Sequence, residues 1–169
     1  VGVSAPGLGP VHRHIGVGQE VLDIVLVGRI DGNTDTHAGM DGMATEDKRL
    51  RQRFDYFLGV PHSNDMPDFA LYEGEEIIEH RVDQRSLTRR YTEAATSFIA
   101  DSADAPFLLY LAHTFPHIPL YASAAFAGKS RAGVYGDVVQ EIDWSTGEIV
   151  AELRRNNLLE NTLIIFTSD

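Results

Sequence analysis

The sequence contains no cysteine. That excludes disulfides, thiolate metal sites and a cysteine nucleophile. Basic residues are scarce as well: 14 Lys and Arg stand against 25 Asp and Glu, a formal charge of −11. Nucleic acid is therefore a poor partner, because neutralising phosphates requires clustered Lys and Arg. Long apolar runs are missing too. The longest, Phe107–Ala112 and Leu163–Phe166, have strand length and fall far short of the roughly 20 residues that span a bilayer, so no membrane span is expected. The opening Val1-Gly2-Val3-Ser4-Ala5-Pro6-Gly7 has neither the basic region nor the apolar core of a signal peptide. The compartment is not legible from the sequence.

What remains is ordinary globular material: 169 residues, 43% hydrophobic and 23% charged, with 15 Gly and 7 Pro. That length buries a sizeable core in one domain. The charge is unevenly spread. Residues 1–53 carry 6 Lys/Arg against 7 Asp/Glu, and residues 54–169 carry 8 against 18. The step from −1 to −10 predicts a boundary near Phe54. Upstream of it, Gly-rich sequence (1–53) reads mostly as loop, with one strand at Glu20–Val27. Gly16-Val17-Gly18 precedes that strand and lacks the third glycine of a dinucleotide loop. Ser4-Ala5-Pro6 has no nearby Arg and reads as a terminus.

Downstream, the periodicity sharpens. Asp83-Gln84-Arg85-Ser86 offers N-cap candidates for a helix running to about Ala100. Its Leu87, Tyr91, Ala94, Ala95, Phe98 and Ile99 form one apolar face. Phe107–Ala112 predicts a strand apolar on both faces, suited to a sheet covered by helices on both sides. A second helix is expected from Gly136 to about Asn156. Val138, Ile142, Ile149, Val150 and Leu153 make its inner stripe, with Asp137, Glu141, Glu148 and Glu152 largely off it. Leu163–Phe166 is then expected as another buried strand. Helix, strand, long loop, helix, strand is the rhythm of a layered α/β fold.

Three segments are candidates for chemistry. His113-Thr114-Phe115-Pro116-His117-Ile118-Pro119 leaves the carboxyl end of a strand, where α/β sheets open their crevices. Its two prolines exclude a helical pair of zinc histidines. A stiff extended loop instead holds an imidazole in a fixed direction, suited to an anionic group; solvated loop histidines are the plainer alternative. Leu58–Met66, containing Pro61-His62-Ser63-Asn64-Asp65, reads locally as a hydrogen-bonded turn. Thr167-Ser168-Asp169 places a carboxylate after a strand, as an N-cap or turn residue or as an oxygen ligand for a hard divalent cation. A strand that runs into such an acid and stops there suggests a piece of a hydrolase.

Taken together and in order, Phe54–Met66, Pro106–Pro119, Tyr135–Asp143 and Thr162–Asp169 make the chain from about Phe54 onward resemble the sulfatases of the arylsulfatase type, in the alkaline-phosphatase-like superfamily. The resemblance implies a layered α/β/α fold and hydrolysis of a small-molecule or glycan sulfate ester. It implies substrate contacts from His117, in a His-x-Pro element, and from Ser63, in a Pro-x-Ser turn, with His113 in a supporting role. It also implies Asp169 as a ligand of a divalent metal, usually calcium, and a family that is often secreted, periplasmic or lysosomal. The departures are equally informative. The Cys/Ser-x-Pro-x-Arg motif that yields the formylglycine nucleophile is absent from the chain. Counterparts of the paired amino-terminal aspartates and of the Gly-Lys-x-His element are missing, and residues 1–53 do not match. The Asn expected after Asp169 and a later sulfate-contacting lysine lie beyond the sequence. Ester cleavage needs an activated nucleophile, charge stabilisation and an acid for the leaving alcohol. The isolated chain is therefore expected to be inactive. A phosphodiesterase or phosphatase of the same superfamily, and a non-catalytic acidic binding domain, are the alternative readings.

Overall fold

An amphipathic helix and a tight hairpin set the layout of the computed structural model, which describes residues 23–29, 55–61, 63–67 and 69–167, the first stretch by its backbone. The strands are β1 (Asp23–Arg29), β2 (Tyr56–Val60), β3 (Ala70–Glu73), β4 (Glu76–His80) and β5 (Phe107–Leu111). The helices are α1 (Leu87–Asp101) and α2 (Gly133–Arg155). The sheet runs β4-β3-β2-β1-β5, and its neighbouring strands all pair antiparallel. β1 lies between β2 and β5, with Val25 opposite both Leu58 and Leu111. The charge step near Phe54 therefore does not coincide with a break in the sheet.

The local causes are readable. Glu73 pairs with Glu76 across Gly74 and Glu75, a two-residue loop of the kind that requires positive φ. Gly74 supplies it with φ +58. Asp83 caps the 3₁₀ turn Gln84–Ser86 by accepting from the Arg85 amide at 3.1 Å. The Arg85 guanidinium on the same carboxylate holds Asp83 below the usual carboxylate range. α1 continues directly from that turn. Its Leu87, Tyr91, Ala95 and Ile99 are fully buried, the face expected from their spacing. Leu87 and Tyr91 pack with Leu58, Val60, Phe69, Leu71 and Val82 in one core cluster, each large aliphatic contributing about 1.5–3 kcal/mol.

α2 begins and ends close to its expected limits and lies against α1. Thr92 Oγ1 and Ser145 Oγ meet across that contact at 2.6 Å. The expected α/β class is thus present as sheet, helix and helix in layers. Three expectations need correcting. β5 alternates between half-buried and exposed, with Leu108 and Tyr110 open to solvent. Only the face bearing Leu109 and Leu111 is packed against the core, so the strand is not covered on both sides by the described residues. Leu163–Phe166 forms no strand. A strand needs a hydrogen-bonding neighbour, none of the described strands pairs with it, and Leu163 is 85% exposed. Asp137 and Glu141, expected off the inner stripe of α2, are buried. Both Asp137 oxygens accept from loop backbone amides, which makes its burial tolerable, whereas Glu141 accepts one through Oε2 and keeps Oε1 buried without a partner among the described residues.

Candidate functional site

Two segments far apart in the chain close on each other beside the amino end of α1. The first is the turn after β2. Its Met66 amide donates to the Ser63 carbonyl at 3.1 Å, which leaves Ser63 half-buried and Asn64 buried. The second is the loop after β5. Thr114 and Phe115 are buried there, and the Thr114 hydroxyl donates to the Tyr91 phenol oxygen on α1 at 3.5 Å. Phe115 packs with Ala122 and Val138 of α2. Phe115-Pro116 and Ile118-Pro119 are cis peptides. Residues 114–119 run through bends and a turn rather than the extended segment expected.

The two segments are tied by side-chain amides. His117 Nδ1 lies 2.8 Å from Asn64 Oδ1. Asn64 Nδ2 donates to Gln84 Oε1 at 2.9 Å and to the Pro119 carbonyl at 3.1 Å. Gln84 Nε2 in turn donates to the Asn64 carbonyl at 2.8 Å. The structure therefore brings the Ser63 turn and His117 into one hydrogen-bonded unit. Ser63 enters it through its neighbour.

His113 lies outside that network. It sits two residues beyond β5, half-buried, with Nδ1 sealed from solvent and lacking a hydrogen-bond partner among the described residues. Burial pushes its pKa down to about 4, because the charged imidazolium loses hydration without gaining a partner. Asp169 lies outside the described residues. Among the described residues no three His, Cys, Asp or Glu gather into a metal cradle. They do not by themselves fit the divalent ion.

The far end of the His117 loop is fastened by the acids of α2. Glu141 Oε2 accepts from the Ser123 amide at 2.8 Å. Asp137 accepts from the amides of Ser130, Lys129 and Gly128 at 2.7, 3.0 and 2.8 Å. Those amides, that of Ser130 foremost, hold the Asp137 carboxyl below the usual range. Asn64, Gln84, Asp137 and Glu141 do not stand out as site residues from the sequence. For the two amides no local signal exists, since turn-forming Asn and helix-start Gln have the same appearance whether solvated or paired. For the two acids the signal is present but faint: they sit four apart on a helix face next to Val138 and Ile142.

Comparison with known proteins gives these segments a context. A family model described as Sulfatase matches residues 32–169, which carries the family upstream of Phe54. Human steryl-sulfatase is 42% identical over 113 residues, covering 67% of this chain and 19% of that protein. Canine N-acetylgalactosamine-6-sulfatase is 39% identical over 138 residues, covering 71% and 26%. A solved chain from glycosaminoglycan metabolism in Bacteroides thetaiotaomicron aligns with a TM-score of 0.48 at 25% identity, over 82% of this chain and 28% of that one. The chain thus spans about a fifth to a quarter of the curated relatives it matches.

Proposed function

This chain belongs to the sulfatase family, and we propose that it supplies the sulfate-contacting wall of a sulfuric ester hydrolase. The single observation that carries the reading is the Asn64–His117 hydrogen bond. It joins the Pro-x-Ser turn and the His-x-Pro loop, the two elements remote in sequence that carry the residues proposed to contact sulfate. In the proposed site His117 offers its remaining ring nitrogen to the sulfate ester, and the Ser63 hydroxyl donates to a sulfate oxygen. His113, kept neutral by its burial, backs the same loop in a supporting role. The Ser63 hydroxyl, and His117 when its ring carries a second proton, are donors that favour charge developing on sulfate oxygens as the ester bond breaks.

The relatives are named for steryl sulfates and for N-acetylgalactosamine 6-sulfate, so a small-molecule or glycan sulfate ester is the proposed substrate class. Asp169 is proposed as a ligand of a divalent metal, calcium in our reading. Its companions would have to come from outside the described residues, and no step is derived through the ion. Family membership disfavours the non-catalytic binding domain, and nothing favours the phosphatase reading.

The test uses the full-length protein carrying this chain, assayed in parallel with an aryl sulfate and an aryl phosphate. We expect sulfate turnover, lost by about 10²-fold or more in His117→Ala and reduced in Ser63→Ala. Wild-type sulfate turnover in His117→Ala, or preference for the phosphate, would reject the reading. The 169-residue chain alone should be inactive, because the formylglycine motif is not in it.

A further inference from the structure

The amide network around His117 fixes the identity of its proton. Pro119 and Asn64 each present a backbone carbonyl, and a carbonyl oxygen only accepts. The Asn64 side-chain atom 3.1 Å from the Pro119 carbonyl must therefore be the NH₂ group. Likewise, the Gln84 atom 2.8 Å from the Asn64 carbonyl must be its NH₂ group. That turns Gln84 Oε1 toward Asn64 Nδ2 at 2.9 Å, which is consistent with the first assignment and independent of it. Neither amide can be flipped without setting NH₂ against NH₂ or oxygen against oxygen. Only Oδ1 of Asn64 is left to face His117, and it cannot donate. The nitrogen 2.8 Å away, Nδ1, must carry the hydrogen.

We infer that Asn64 is a positioning residue that holds His117 in the Nδ1–H tautomer and leaves Nε2 as the ring atom that exchanges a proton with substrate. The tautomer of a histidine follows the hydrogen bond made by its other nitrogen, and a free histidine side chain prefers the opposite form, with hydrogen on Nε2. Asn64 therefore does more than orient the ring. When His117 is neutral, Nε2 holds a lone pair. When it is protonated, the added proton resides on Nε2 and is available to an ester or sulfate oxygen. Gln84 and Pro119 act one step further back by fixing which end of the Asn64 amide is the acceptor. Burial of Asn64 at 2% exposure keeps water from substituting for it. The inference rests on the sulfatase reading only for what Nε2 would touch; the tautomer stands on the hydrogen bonds.

The experiment is ¹⁵N–¹H long-range correlation of the histidine rings in the full 169-residue chain, with His117 assigned by loss of its signals in His117→Gln. Neutral His117 should show a protonated Nδ1 and a bare Nε2. Asn64→Leu should reverse the pattern, making Nε2–H the major form. Asn64→Ala, which also removes the accepting oxygen, should give the same reversal and serves if the leucine variant does not fold. A wild-type ring protonated on Nε2, or a pattern unmoved by Asn64→Leu, overturns the inference. In the full-length protein, Asn64→Leu should lower kcat/KM for an aryl sulfate about tenfold or more, as for other groups that orient a functional histidine. If the tautomer is as stated and His117→Ala still turns over sulfate, the functional reading fails and the positioning role stands.

Discussion

Thr92 on α1 and Ser145 on α2 place their hydroxyl oxygens 2.6 Å apart in a fully buried contact. Thr92 also lies 2.7 Å from the Thr88 carbonyl and must direct its one hydrogen there, so Ser145 is the donor between the two hydroxyls. Removing the acceptor strands that donor in the core. Thr92→Val should therefore cost about 1–3 kcal/mol, and adding Ser145→Ala should return much of it. Urea denaturation of the two single variants and the double variant measures the coupling. Additive losses would mean that the hydroxyls do not act as a pair.

Gly136 is the point where the 128–132 loop lies directly on α2. A Cβ there would fall 2.0 Å from Ser130 Oγ and 2.8 Å from Ser130 Cβ. Gly136→Ala should destabilise by about 1–3 kcal/mol, as overpacking does. The gain in helix propensity is at most about 1 kcal/mol and does not offset it. Ser130→Ala in the same chain should recover only part of the loss, because the Cβ at position 130 still clashes. Thermal unfolding distinguishes these outcomes, and wild-type stability in Gly136→Ala would contradict the close contact.

The His113 pKa of about 4 gives stability a defined pH dependence. An unfolded histidine titrates near 6.5. As pH falls below that value the unfolded chain takes up a proton that the folded chain refuses, until the folded ring also titrates near 4. Stability is then complete above about pH 6.5 and is lost between there and about pH 4, by roughly 3 kcal/mol at most. Substituting His113 with Leu should flatten this part of the curve. A stability profile that is level from about pH 7 to about pH 4 in the wild type, once carboxylate effects are subtracted, would show that the ring is charged in the fold.

Asp137 contributes in the same direction from a different cause. Its carboxyl is held low by the amides of Ser130, Gly128 and Lys129, so the ionised form is favoured by folding. Its contribution is present above the ordinary carboxylate range and is lost as pH falls through the lowered value. Asp137→Ala should raise hydrogen exchange at the amides of Gly128, Lys129 and Ser130 well above that at the amides of α1. Unchanged protection at those sites would remove Asp137 as the clamp of this loop.

Much of the helical framework is legible in the sequence because periodicity reports burial directly. Leu87, Tyr91, Ala95 and Ile99 lie on one face by spacing and are buried in the fold. β1 and β5 are readable from apolar runs between glycines or polar turns. The β3–β4 hairpin is not, since Ala70–Glu73 is short and Glu76–His80 shows no clean alternation. Only the Gly74-Glu75 pair marks the hairpin. β2 is hidden because Gly59 and Pro61 make its end read as turn. Leu163–Phe166 carries the composition of a buried strand, but composition cannot supply the neighbour that a strand requires. At the candidate site, Ser63 and His117 are proposed through family resemblance, whereas Asn64 and Gln84 act through contacts between remote segments and leave no trace in local sequence.

The union of Asn64 with His117 also has a kinetic side. The two residues are 53 positions apart, and the intervening chain holds the whole β3–β4 hairpin, α1 and β5. Closing a flexible loop of that length costs about 3.5 kcal/mol plus a constant in chain entropy, offset only when the intervening elements have packed. The His117 loop should consequently be among the last parts to reach native geometry and among the first to leave it. A lesion deep in α1, such as Leu87→Ala, would then behave in an assay as though it lay in the site itself.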